Sequence, residues 1–265
     1  MHCSLRAKRR PSPGPLLRLE GVVKSFQGVV ALKGVSFALY PREILGLIGP
    51  NGAGKTTLIN LITGFLRPDR GHIYFAGEDI TGLKPEAIAN RGILRTFQHV
   101  QVFSGLTVLE NILLGFSRRI KGSLLKEIFS LNGRKSEEEL REQAFQILET
   151  FGLKHWASHP AEALPYGEQR RVVLARAVAA KPRVLLLDEP AAGLSPREGR
   201  ELVGLLKQLK EGGLSLLLVD HDVDLILEVC DRVVVLSSGE IIAQGPPRVV
   251  RQDPKVIEAY LGSDA

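Results

Sequence analysis

Apolar positions along the 265 residues fall into two rhythms, a period of two and a period of about 3.6, which take turns from one end to the other. From Leu16 to Leu47 the pattern is that of strands. Val22-Val23 and Val29-Val30-Ala31-Leu32 flank a turn at Gln27-Gly28, Val35 to Leu39 alternates before Pro41, and Ile44 to Ile48 is wholly apolar. A helix follows around Leu58-Ile59-Asn60-Leu61-Ile62, ending near Gly64, and Gly71 to Gly77 reads as a short strand. From about Thr107 to Gly167 the spacing is helical, through Val108, Leu109, Ile112 and Leu113, then Leu140, Ala144, Ile147, Leu148 and Phe151. Ser117 to Glu139 interrupts it as a polar, loosely packed excursion. Helices are predicted over Gln169–Ala180, Pro196–Glu211 and Val223–Cys230, and buried strands over Arg183–Leu187 and Leu214–Val219. Val233–Leu236 and Glu240–Ala243, joined by Ser237-Ser238-Gly239, form a hairpin. Apolar strands alternating with helices predict an α/β fold with a mainly parallel central sheet.

One junction carries chemistry. Directly after the strand ending at Ile48 comes Gly49-Pro50-Asn51-Gly52-Ala53-Gly54-Lys55-Thr56-Thr57, which fits G-x-x-x-x-G-K-[ST] between a strand and a helix. The glycines let successive backbone N–H groups turn inward, and the helix N-terminus adds a positive dipole end. In such a loop Lys55 reaches the β- and γ-phosphates of a nucleotide and the Thr56 hydroxyl ligates Mg²⁺. Further on, Val184-Leu185-Leu186-Leu187 ends in Asp188-Glu189-Pro190. A carboxylate at that strand tip can hold Mg²⁺ through water beside Thr56, and Glu189 next to it can orient an attacking water. His221 follows another buried strand, where a lone histidine is more often structural than functional. Gln98, in Arg95-Thr96-Phe97-Gln98, has no pattern of its own.

Charge changes the picture less than its total suggests. Of a net +6, Arg6, Lys8, Arg9 and Arg10 supply four in the first ten residues, which contain no acid. With Pro11, Pro13, Gly14 and Pro15 after them, residues 1–15 read as a disordered basic leader, and a nucleic-acid partner is not expected. Cys3 and Cys230 have no metal spacing and suit a reducing cytoplasm. The longest apolar runs are far shorter than the ~18 residues that span a bilayer, so any membrane role is borrowed from a partner.

The order of these features resembles the nucleotide-binding subunit of an ABC transporter. This chain carries, in this order, the phosphate loop, Gln98, the turn Leu164-Pro165-Tyr166-Gly167-Glu168-Gln169, the Asp188-Glu189 strand and His221, and the likeness runs from about Leu16 onward. The finer resemblance is to the branched-chain amino acid uptake group, through Arg95 to Gln98, Gly105 to Asn111, Leu164 to Gly167, Asp188 to Leu194 and the ending Val256-Ile257-Glu258-Ala259-Tyr260-Leu261-Gly262. The resemblance implies a P-loop NTPase with a RecA-like core, an antiparallel β subdomain and a helical subdomain at about residues 99–167. It implies that Glu189 is the catalytic base, His221 a switch residue at the γ-phosphate, and Gln98 a Mg²⁺ contact that couples to the membrane subunit. Phe26 would stack on adenine, and Leu164, Tyr166, Gly167 and Gln169 would close on the nucleotide of a second cassette.

What the resemblance implies overall is an ATP- and Mg²⁺-dependent ATPase at the cytoplasmic face of the membrane. Its expected partners are a second ATPase subunit, polytopic permeases and, indirectly, a substrate-binding protein. Two departures stand out. Pro165 replaces the serine of the usual Leu-Ser-Gly-Gly-Gln signature and removes a backbone donor, and Ser195 stands where an aspartate is usual. Importers of urea and other amides share much of the pattern. A soluble ABC ATPase acting on DNA, on ribosomes or in iron–sulfur assembly, and a small-molecule kinase, are rival readings at this point.

Overall fold

A computed structural model describes residues 14–96, 100–116, 134–220 and 222–261, with the side chains of 134–137 and 261 left aside. The expected leader lies almost wholly outside it, as do Gln98, His221, most of the polar excursion and Gly262. Strands β1 (Leu17–Phe26), β2 (Val29–Leu39), β4 (Arg70–Phe75) and β5 (Glu78–Asp79) form an antiparallel sheet in the order β2-β1-β4-β5. Strands β3 (Ile44–Ile48), β6 (Ile93–Thr96), β7 (Val184–Asp188), β8 (Ser215–Val219), β9 (Arg232–Ser237) and β10 (Glu240–Gly245) form the second sheet, in the order β10-β9-β3-β8-β7-β6. All its pairings are parallel except the β9–β10 hairpin.

The central strands are apolar along almost their whole length because both faces are covered. Successive side chains point to opposite faces, and the two cores divide them accordingly. Leu185 and Leu187 of β7, Leu216 and Leu218 of β8 and Val233 and Val235 of β9 belong to one core. Val184, Leu186, Leu217, Val219, Val234 and Leu236 belong to the other. The second core is closed by α1 (Lys55–Ile62) and by the inner face of the antiparallel sheet, with Leu17, Leu19, Phe37, Ile73 and Phe75. The first is closed by α3 (Val108–Gly115), α4 (Arg134–Thr150), α5 (Tyr166–Ala179), α6 (Pro196–Glu211) and α7 (Val223–Val229). A short α2 (Pro85–Arg91) precedes β6, and α8 (Pro247–Val250) and α9 (Pro254–Leu261) end the described chain.

Several boundaries differ from the sequence expectation. Helix α5 begins at Tyr166, three residues before the predicted Gln169. Pro165 is already extended at the N-cap, with φ −52° and ψ 150°, and its carbonyl accepts from the Gln169 N–H at 3.0 Å. Proline-tyrosine-glycine reads as a turn by composition, yet proline at a helix start loses no hydrogen bond. Helix α4 takes in residues 134–139 of the expected excursion, a glutamate-rich run of good helix formers continuous with the apolar stripe at Ala144 and Leu148. Neither α2 nor the four-residue β6 was predicted.

Side-chain capping fixes the starts of α3 and α6. Thr107 and Glu110 form a capping box at α3, and Ser195 and Glu198 form one at α6, which also has Pro196 in its first turn. The segment leading into α3 is tied down by buried Asn111. Its amide donates to the carbonyls of Phe103 at 3.2 Å and Thr107 at 3.0 Å, and its oxygen accepts from the Phe103 N–H at 2.9 Å. Arg176 of α5 stacks over the Phe103 ring and donates to the Gln101 carbonyl at 2.7 Å.

Helix α7 lies so close to β3 that Gly46 has no room for a side chain. A Cβ there would come within 2.6 Å of Ile226 Cγ2 and 2.9 Å of Cys230 Sγ. Burial pushes the Cys230 thiol well above its usual range, with Asp231 and Glu43 adding to the shift, so it packs as an inert apolar group. Gly46→Ala is expected to destabilise the protein by about 1–3 kcal/mol through overpacking. Urea denaturation checks this, and an unchanged midpoint would mean that α7 yields freely.

Candidate nucleotide-binding site

The phosphate loop leaves β3 at Ile48 and enters α1 at Lys55, with Gly54 at the N-cap in a left-handed conformation, φ 105°. Its backbone is confined from both sides. A Cβ on Gly49 would overlap the Leu236 carbonyl at the end of β9, and one on Gly54 would come within 2.8 Å of the Ala31 carbonyl on β2. The β9–β10 turn braces the loop from beneath, the Gly239 N–H donating to the Ala53 carbonyl at 3.0 Å. Gly52 has open space around it but a φ of 76°, so glycine is needed there for conformation alone. Asn51, Gly52 and Thr56 are exposed on the rim, Pro50 and Thr57 are partly covered, and Ala53 is buried.

Lys55 Nζ curls into the hollow of the loop, donating to the Gly49 carbonyl at 2.6 Å and the Pro50 carbonyl at 3.0 Å. Burial lowers its pKa, and the charges of Glu189 and Asp188 oppose that shift. The lysine and the two acids, separated by more than 130 positions in the chain, therefore share one electrostatic environment. They meet because β3 and β7 run parallel with only β8 between them, and both end at the carboxyl edge where open α/β sheets take their ligands.

The two acids are held differently. Asp188 Oδ2 accepts from Arg95 Nη2 at 2.6 Å, both side chains being about nine-tenths buried, and Arg95 Nη1 donates to Asn60 Oδ1 of α1 at 2.7 Å. Glu189 has left the strand into a left-handed conformation, φ 48°. Its N–H donates to the Val219 carbonyl at 2.7 Å, and its carbonyl accepts from Arg170 Nη1 at 2.7 Å. Buried Asp220 ties the neighbouring turns together, accepting from the Ala191 N–H at 3.3 Å and the Asp222 N–H at 3.0 Å. His221 lies between these two aspartates in the chain, outside the described residues, as does Gln98 two positions after Thr96.

Among the described residues no three His, Cys, Asp or Glu side chains cluster as a metal cage. The donors present here are of another kind, an exposed threonine hydroxyl and a strand-end carboxylate, both hard oxygens that suit Mg²⁺. Phe26 ends β1 half exposed, with Lys24 Nζ 5.5 Å from its ring centre, on the hairpin whose second strand abuts Gly54 through Ala31.

Residues 32–192 match the ABC transporter family, and residues 240–265 match the branched-chain amino acid ATP-binding cassette transporter family. The high-affinity branched-chain amino acid transport ATP-binding protein LivG of Escherichia coli K12 is 41% identical over 94% of this chain and 98% of its own length. BraF of Pseudomonas aeruginosa, described in the same words, matches to the same extent. The chain belongs to the ABC transporter ATP-binding family. A crystal structure of an ATP-binding cassette of an ABC transporter in its ADP conformation superposes with a TM-score of 0.82, at 38% identity over 94% of this chain and 99% of the other. The expected fold therefore holds: a P-loop NTPase cassette with an antiparallel β subdomain. This cassette is a transport ATPase.

The turn from Leu164 to Gln169, expected to be the cassette's signature, leads into the start of α5. Leu164 is buried, so it offers a ligand only its backbone, whereas Tyr166 is half exposed. Gln169 turns back on its own loop, Nε2 donating to the Leu164 carbonyl at 2.8 Å and the Glu162 carbonyl at 3.1 Å. A Cβ on Gly167 would overlap the Glu198 carboxylate, which Ser195 in turn orients with a 2.6 Å hydrogen bond from its hydroxyl. That contact and the partners Arg95, Asn60, Arg170 and Tyr260 were not read from the sequence. Tyr260 brings a phenol whose pKa burial raises, with the Gly49 backbone N–H opposing the shift. A charged residue in the short apolar stretch Ile93-Leu94-Arg95-Thr96 is the one signal that could have marked Arg95.

Gly49→Ala is expected to weaken binding of a fluorescent ATP analogue by more than about tenfold, because a backbone clash cannot relax by rotating a side chain. Gly52→Ala, in open space, should cost only about 1–2 kcal/mol of stability. Equal effects of the two substitutions in binding titrations and thermal melts would contradict the confinement of the loop at Gly49.

Proposed function

We propose that the cassette powers an importer of branched-chain amino acids, working as one of a pair at the cytoplasmic face of the membrane. The observation that carries this reading is the meeting of Lys55, Asp188 and Glu189 at one sheet edge. In it the backbone N–H groups of residues 49–57 cradle the triphosphate and Lys55 moves from the loop carbonyls to the β- and γ-phosphates. Phe26 stacks on the adenine. Thr56, Asp188 and Gln98 would hold Mg²⁺, which would supply neutralisation of the charge that develops on the phosphates. Glu189 accepts a proton from the water that attacks the γ-phosphorus in line, the bond from that phosphorus to the bridging oxygen breaks so that ADP leaves and phosphate is formed, and His221 contacts the γ-phosphate.

The other half of each site comes from a second cassette, whose turn over Leu164, Tyr166, Gly167 and Gln169 presents the N-terminus of its α5 to the γ-phosphate. A dimeric cassette in a post-hydrolysis state bound to ADP and Pi superposes on this chain with a TM-score of 0.72 at 28% identity, which supports the pairing. Among the described residues no helix is long and apolar enough to cross a membrane, so the path for cargo belongs to separate permeases, fed by a substrate-binding protein. The cargo assignment is supported by the likeness to LivG and BraF and by the match over residues 240–265. Residues 16–265 form the cassette, with about 99–167 as its helical part.

Glu189→Gln is expected to keep ATP binding and to lower turnover by at least about a hundredfold, as loss of a general base does. Retained phosphate release in that variant would remove Glu189 from the role. Chelation with EDTA should abolish phosphate release and restoring Mg²⁺ should recover it. The transport assignment is checked by purification from native membranes. Two polytopic proteins should accompany the chain, and leucine with its binding protein should stimulate ATPase in proteoliposomes; stimulation by urea alone would reassign the cargo.

A further inference from the structure

Glu189, the residue whose direction matters most to hydrolysis, has a backbone conformation that a residue with a Cβ does not favour. Two of its restraints come from close by. Its N–H is bound by the Val219 carbonyl of the adjacent strand, and its carbonyl accepts from the Ala192 N–H at 3.2 Å. The third comes from another element. Arg170, on α5, donates from Nη1 to the Glu189 carbonyl at 2.7 Å. The same guanidinium donates from Nη2 to the Tyr166 hydroxyl at 3.0 Å, with its central carbon 5.4 Å from the Tyr166 ring centre. Tyr166 in turn packs against Gly193, where a Cβ would lie 3.3 Å from the ring. One planar group thus joins the signature turn to the backbone of the catalytic acid. The tyrosine it holds touches the loop beyond that acid. A lysine in its place could make one of these donations but not both in fixed geometry.

We propose that Arg170 is a positioning residue for Glu189 that ties the two nucleotide sites of the paired cassettes together. This rests on the reading given above, in which Glu189 serves the subunit's own nucleotide and the signature turn serves the partner's. Arg170 lies on the first turns of the helix that begins with Tyr166, so a shift of the turn toward the partner's triphosphate carries the guanidinium with it. The Glu189 carbonyl follows through a single 2.7 Å hydrogen bond, and the carboxylate is set in line for water. Closure on one nucleotide then prepares hydrolysis of the other. No bond of Arg170 reaches the phosphate loop, so its part lies in turnover and not in holding ATP.

The test uses the full-length chain with Arg170→Met, Arg170→Lys and Glu189→Gln. Arg170→Met keeps the length and removes every donor. It should lower kcat about tenfold, as modest misplacement of a catalytic group does, while KM for ATP and the affinity for a fluorescent analogue stay within about twofold. Hydrogen–deuterium exchange of the amides at 191–194 should quicken in the same variant, and Arg170→Lys should fall between it and the parent in both measurements. An unchanged kcat with unchanged exchange would overturn the proposal. So would a fall in kcat matched by an equal loss of ATP affinity and thermal stability, which would mark Arg170 as a packing residue. Turnover surviving in Glu189→Gln would instead overturn the reading of Glu189, and the proposal with it, whereas an inactive Glu189→Gln beside an unaffected Arg170→Met would sink the proposal alone.

Discussion

The site depends on a contact between two stretches of backbone. The carbonyl of Leu236, at the end of β9, occupies the space a side chain on residue 49 would need. The Gly239 N–H from the following turn supports Ala53, and Ala31 presses on Gly54 from β2. A loop that must point its N–H groups at an anion cannot also satisfy them internally, and it would collapse if left to itself. Here the antiparallel sheet, the β9–β10 turn and the C-terminal helix hold it open from outside. That is why elements far from the glycine motif in sequence contribute to the shape of the phosphate loop.

Charge is balanced with the same economy. Lys55 is partly desolvated beside two acids, and Asp188 is desolvated beside Arg95. A buried charge without a partner is costly, so each of these is set against an opposite one. Arg95 sits on β6, three residues before Gln98, and also holds Asn60 of α1. The strand leading toward the expected coupling loop, the helix behind the phosphates and the carboxylate expected at the metal are thereby joined by one side chain. A change at any of the three is felt by the others.

The departures from the usual signature acquire a physical meaning in this setting. Pro165 gives up a hydroxyl and a backbone donor but sets the extended entry to α5. Ser195 replaces an acid yet caps α6 and aims Glu198 at Gly167, where the absent side chain leaves room for the carboxylate. Tyr166, bulkier than the glycine usual at its place, is accommodated because Arg170 and Gly193 make a slot for its ring.

The order of apolar runs and the glycine-lysine-threonine motif determined the α/β class, the parallel sheet and the phosphate loop, because period and turn chemistry are local properties. Asp188 and Glu189 were legible for the same reason, as acids ending an apolar strand. Arg95, Asn60, Arg170 and Tyr260 were not: each acts through a partner on another element, and nothing in the residues around it names that partner. The start of α5 at Tyr166 was missed because proline and glycine read as a turn by composition, whereas the Pro165 carbonyl already accepts from the Gln169 N–H. Sequence alone thus picked out the glycine-lysine-threonine loop and the strand-end acids as candidates. Only the folded chain decided what holds them there, since a hydrogen bond between residues far apart in the chain exists only once the sheet has brought them to the same edge.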